Sequence, residues 1–156
     1  MPKSNSPIIV VVDTNCFIRL LFSPLRPVLG ATFSGHKLMT LIKLAEECGP
    51  GTAVAERNPW LLEASVQQEL RASCINLREP KTSQVEDMAK HFRKEGNSLL
   101  RNYCNSKGIT TIRELSIADS HALATAQVLK FKLATDEWPL THVANQASDV
   151  TSVLTS

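Results

Sequence analysis

With 156 residues, 43% of them apolar and 21% charged, the chain has the makeup of an ordinary globular protein and enough apolar material for one domain with its own core. Seventeen Lys and Arg against fifteen Asp and Glu leave a net charge of +2, which permits a nucleic-acid partner without requiring one. The polar opening MPKSNSP does not read as a signal peptide, and no window approaches the ~18 apolar residues of a membrane span.

Residues 1–6 read as a loose tail, and residues 7–156 as a single domain. The run IIVVV, 8–12, is apolar on both faces, as expected of a central parallel strand covered by helices. A short helix from about Asn15 to Phe22 follows and stops at SPLRP. The segment 36–48, HKLMTLIKLAEEC, places Leu38, Leu41, Ile42 and Ala45 on one helical face, so a helix is expected before Gly49-Pro50. GPGTAVAERNP reads as loop, WLLEAS (60–65) as a second strand, and VQQELRASC as the helix after it.

Residues 82–106 show the strongest helical period, with Val85, Ala89, Phe92, Leu99 and Tyr103 in a stripe that Gly96 weakens. Lys90, Arg93, Lys94 and Arg101 gather on another face, either as solvated surface or as a contact to a phosphate backbone. A small-residue helix is expected over 116–131, then a strand ending at KLATD, a short helix over WPLTHVANQ and a last strand in VTSVLTS. Such alternation points to an α/β three-layer sandwich around a mostly parallel sheet.

Cys16, Cys48, Cys74 and Cys104 form no CxxC and no Cys/His pair at zinc spacing, so a reducing cytoplasm is expected and disulfides are not.

In open α/β sheets ligands bind beyond the carboxyl ends of the strands, which directs attention to the acids there. Asp13 ends the first strand, Glu69 follows the expected second one, Asp119 lies in the first turn after Ser116, and Asp136 ends the strand before WPL, with Glu137 beside it. Two such charges ~5 Å apart repel by roughly 3 kcal/mol at an effective dielectric of ~20. A hard divalent cation, Mg²⁺ or Mn²⁺, removes that cost with oxygen ligands alone. Each acid also has a plain structural reading. Asp13 can cap the helix after it, Ser116 and Asp119 fit an S-x-x-D capping box, Glu69 can be an exposed helical glutamate, and Asp136-Glu137 a polar turn.

VVVDTNCFIRLL, SVQQEL, LSIADSHALATA and LATDEWPLTHVA, in that order over residues 8 to about 146, resemble the signatures of the PIN domain family. These are metal-dependent nucleases that include the VapC-type toxins. The resemblance matches Asp13-Thr14-Asn15, then Glu69-Leu70, then Ser116 and Asp119 running on to Ala124 and Ala126. The fourth signature, T-x-D, fits less well. Asp136 follows Thr135 directly, and the pattern's spacing falls on Glu137, so both are carried as the fourth acid.

The resemblance implies a PIN-like fold and hydrolysis of RNA phosphodiesters by metal-activated water, leaving a 5′-phosphate and a 3′-hydroxyl. Asp13, Glu69, Asp119 and Asp136 would be the catalytic acids, and Asp13, Asp119, Asp136 and Glu137 the metal ligands. Thr14, Asn15, Ser116 and Thr135 would orient carboxylates or touch phosphate. An antitoxin and a homodimer are the protein partners it implies.

Rival α/β enzymes fit poorly. A haloacid-dehalogenase-like phosphatase needs an aspartate where Asn15 stands, and a receiver domain needs an acidic pair near the first strand. Neither GxGxxG nor GxxxxGK[ST] occurs. The alternative of a different kind is a PIN-fold binding or assembly module with weak or absent nuclease activity.

Overall fold

The structure, a computed structural model, describes residues 6–29, 31–135, 137–146 and the backbone of 153–154. Five of the six residues of the expected tail, and Asp136, lie outside the described residues.

Five consecutive β-branched residues make β1 (Ile8–Val12), with Val10, Val11 and Val12 almost wholly buried. Asp13 then caps α1 (Thr14–Leu21). Two short strands follow, β2 (Thr32–Phe33) and β3 (His36–Met39), joined antiparallel. Their two-residue turn, Ser34-Gly35, has both φ angles positive, at 48° and 73°, which suits a tight hairpin. Next come α2 (Ile42–Glu46), α3 (Ala53–Arg57), α4 (Ala64–Ala72), α5 (Lys81–Ser106) and α6 (Ile117–Leu129). The chain then runs through β4 (Lys132–Ala134), α7 (Trp138–Gln146) and β5 (Val153–Leu154).

The sheet has the order β2-β3-β1-β4-β5, with every pairing parallel except β2 to β3. Val10 lies opposite Leu38 on one side and Lys132 on the other, so β1 is the central strand. Alternate side chains feed two cores. Ile9, Val11, Met39 and Leu133 pack with α5, α6 and α7, whereas Val12, Leu38 and Ala134 pack with α1, α4 and Leu61. The result is the expected α/β three-layer sandwich around a mostly parallel sheet. No helix among the described residues is long and apolar enough to cross a membrane.

Three expected elements differ. The single helix over 36–48 is a strand and a helix, because Thr40 extends the sheet edge, bridging in parallel to Cys74 before α2 begins. WLLEAS is not a strand: Pro59–Leu62 forms a 3₁₀ turn running into α4. The expected loop after Cys48 contains α3, capped by the Thr52 side chain on the Ala55 N–H.

Helix α5 buries Val85, Ala89, Phe92, Gly96, Leu100 and Cys104, while Leu99, expected inside, is 39% exposed. Gly96 is therefore a core position. A Cβ there would stand 2.9 Å from Leu115 Cδ1 and 3.0 Å from Val143 Cγ1. Helix propensity favours alanine over glycine by about 1 kcal/mol, but overpacking costs about 1–3 kcal/mol. Gly96→Ala is expected to lower the urea midpoint, and a higher midpoint would show that α5 and α7 separate easily.

Candidate functional site

Because β3 and β4 flank β1 on opposite sides, the chain's crossovers diverge at the carboxyl end of β1, the place where open α/β sheets hold ligands. Asp13 stands there, 1% exposed. Its Oδ1 accepts the Cys16 N–H at 2.9 Å, capping α1, and its Oδ2 accepts the Thr135 hydroxyl at the end of β4. The helix N-terminus adds a favourable dipole. Protein donors alone thus make this buried carboxylate tolerable, with no cation required for that purpose.

The next two residues reach other acids. Thr14 donates its hydroxyl to Glu47 Oε2 at 2.7 Å, and the Asn15 amide donates to Glu137 Oε1. Glu137 also receives Arg113 Nη2 at 3.2 Å, and its backbone N–H binds Thr135 Oγ1 at 3.0 Å. Asp13, Thr14 and Asn15 therefore contact three separate stretches of chain: the end of β4, the end of α2 and the entry to α7.

Asp119 enters from α6, whose helix start is capped by Ser116 Oγ on the Asp119 N–H at 3.0 Å. Burial pushes the Asp119 carboxyl up to about 6, the charges of Asp13 and Glu47 push the same way, and hydrogen bonds from Ser116 oppose them. Asp13, Asp119 and Glu47 thus share one region. Burial and the Asp13 charge likewise push the Cys16 thiol up to about 12, which favours its protonated form at neutral pH.

Glu69 stands apart. Its Oε2 receives Nε and Nη2 of Arg26 at 2.9 and 2.6 Å, and the neighbouring charges that raise Asp119 are Asp13 and Glu47. The strand expected just before it does not exist, so Glu69 loses the position that recommended it. Glu47, which follows the neighbouring strand β3 through α2, accepts the Thr14 hydroxyl next to Asp13. Its signal in the sequence, the acidic pair in LAEEC, was hidden inside the expected long helix. Lys90, Arg93, Lys94 and Arg101 are all exposed on α5, and no hydrogen bond or ion pair among the described residues links them to the acids.

The donor set is all oxygen, which suits a hard divalent cation rather than zinc. As the side chains stand, no three His, Cys, Asp or Glu among the described residues are gathered closely enough to hold an ion. Asp136, an expected ligand, lies outside the described residues.

No family model matches the chain, and no curated protein matches it. Among solved structures, FitAcB from Neisseria gonorrhoeae aligns over 93% of this chain and 96% of that chain, at 16% identity and a TM-score of 0.43. Likeness at that level assigns neither a family nor an activity.

An ordinary aspartate in the unfolded chain titrates near 3.9. Raised to about 6 in the fold, Asp119 leaves stability intact below pH ~4 and withdraws it as pH rises toward and past 6. In EDTA, Asp119→Asn is expected to stabilise the protein at pH 7.5 by on the order of 2 kcal/mol, with the gain vanishing near pH 4. Urea titrations at both pH values check this. A variant less stable than wild type at pH 7.5 would mean that the carboxylate is held by attraction.

Proposed function

We propose that the chain is a divalent-metal-dependent nuclease acting on RNA, as the resemblance of its motifs to the PIN domain family implies. The observation that carries this reading is the convergence of Asp13, Asp119 and Glu47 at the carboxyl end of the central strand. Helix capping accounts for Asp13 and for Ser116, but it gives no reason for the charges of Asp13 and Glu47 to lie near enough to Asp119 to raise its proton affinity.

Asp13, Asp119 and Glu47 are the residues that would hold Mg²⁺ or Mn²⁺, with Asp136 or Glu137 as the further acid. Bound there, the ion supplies a Lewis acid and lowers the pKa of water. The remaining residues do their work without it. Thr135 orients Asp13, Thr14 orients Glu47, and Asn15 with Arg113 fixes Glu137. Arg113, 53% exposed at the rim, has donors beyond the one on Glu137 and can take a phosphate oxygen of the substrate.

On this reading the protein acts in the cytoplasm, and an antitoxin or a second copy would be its protein partner. One observation favours the binding-module alternative. Asp13, Glu47 and Glu137 are each satisfied by protein donors, and no cage is assembled among the described residues.

Cleavage of labelled RNAs and single-stranded DNA with Mn²⁺, Mg²⁺ or EDTA tests the proposal. Metal-dependent cutting of RNA is expected. It should fall in Asp13→Asn and Glu47→Gln by more than the roughly 10- to 100-fold that an outer-shell partner costs, while Glu69→Gln stays near wild type. Loss in Glu69→Gln with Glu47→Gln active would return the role to Glu69. No cutting, with no metal-induced rise in Tm, would assign the chain to the binding modules.

A further inference from the structure

Helix α1 carries a second feature beyond the acids. Asn15, Arg19 and Phe22 follow at steps of four and three, and all three are exposed. Phe22 is 77% exposed, an unusual setting for so large an apolar side chain. Its ring meets that of Trp60 at a centroid distance of 5.5 Å with the planes tilted by 36°.

Ile18, Arg19, Phe22, Asn58 and Trp60 line an open cleft of about 260 Å³. That is just under the ~300–1,000 Å³ of sites for drug-sized ligands and suits a single ring system. The Asn58 amide donates to the Val54 carbonyl at 3.0 Å, so its Oδ1 is the end that can accept from a ligand. Arg19 lines the cleft, and its positive charge is also felt at Cys16, beside Asp13. Arg19 thus belongs to the stretch of helix that runs from Asp13 to Phe22. From Asp13 to Phe22 the helix rises by ~13 Å, roughly four nucleotides at the ~3.4 Å stacked-strand spacing and fewer if the strand is extended.

We infer that this cleft is a base-stacking subsite, in which an unpaired nucleobase lies against Phe22 and Trp60, with Asn58 at its edge and Arg19 toward the backbone. The inference rests on the nuclease reading and deepens it, because a paired base inside a duplex presents no free face to these rings. Stacking on aromatic side chains, supported by arginine, is the means by which single strands are held with little regard to sequence. The exposed Leu25 and Leu62, near Phe22 and Trp60 in sequence, make a second copy of the chain the competing occupant.

The test measures anisotropy of a fluorescein-labelled 12-nucleotide RNA of mixed sequence, single-stranded or annealed to its complement, with the intact protein in EDTA to prevent cutting. Phe22→Ala is expected to weaken single-strand binding by roughly 5- to 150-fold, with Phe22→Trp restoring it and the duplex bound weakly by all three. Phe22 is exposed enough that its truncation should leave the fold intact, which the Tm of each variant checks. If Phe22→Ala binds like a wild type that cleaves RNA, the subsite is wrong and the nuclease reading stands. If the wild type binds no single-stranded RNA, the subsite is overturned, and the nuclease reading falls with it when the wild type also cuts no RNA with Mn²⁺. If sedimentation shows that Phe22→Ala loses self-association while RNA affinity is unchanged, the face belongs to a second copy and the subsite is overturned.

Discussion

Asp13 sits where the most apolar strand of the protein ends, and the surrounding architecture is arranged to keep its charge there. One oxygen holds the start of α1 and the other holds Thr135 at the end of β4, so a single carboxylate joins the central strand, the helix after it and the neighbouring strand. An uncompensated carboxylate at 1% exposure would cost several kcal/mol. Thr14 and Asn15 extend the same junction to Glu47 and Glu137. Thr14 and Asn15 thereby set the positions of two acids that come from distant parts of the chain.

This arrangement explains why the fold was more legible in the sequence than the site. Ile8–Val12 is unambiguous because five β-branched residues in a row fit little besides a buried strand. The starts of α1 and α6 were legible because Asp13 and Ser116 cap with local chemistry. The segment 36–48 misleads because Leu38, Leu41, Ile42 and Ala45 keep helical spacing across a strand end, a bridge at Thr40 and a helix start. What fixes the break is the pairing of His36–Met39 with β1, a contact between residues nearly thirty apart that local periodicity does not record.

The same break bears on the surroundings of two acids. Helical spacing over 36–48 points to WLLEAS as the second strand and so to Glu69 as a strand-end acid, whereas Pro59–Leu62 is a 3₁₀ turn. The fold instead commits Glu69 to Arg26 and brings Glu47 to Thr14. Gly96 shows the same contrast, because propensity is local and packing is not. It weakens α5 as an isolated helix, yet it lets Leu115 and Val143 approach the helix backbone.

The structural and the chemical readings of the acids need not compete. A cap fixes its carboxylate on one side and leaves the charge itself in place, so Asp13 can hold α1 and still raise the proton affinity of Asp119. Caps scattered over the surface would supply the same hydrogen bonds with no repulsion among them. Here the charges of Asp13 and Glu47 both act on Asp119, with Glu47 held by Thr14, and burial around Asp119 strengthens the repulsion by lowering the local dielectric. Stability alone would favour separating these charges or neutralising one of them. Retaining three charged groups around one strand end is therefore a cost borne by the fold, and a positively charged ligand or a developing charge is what such a cluster is suited to meet.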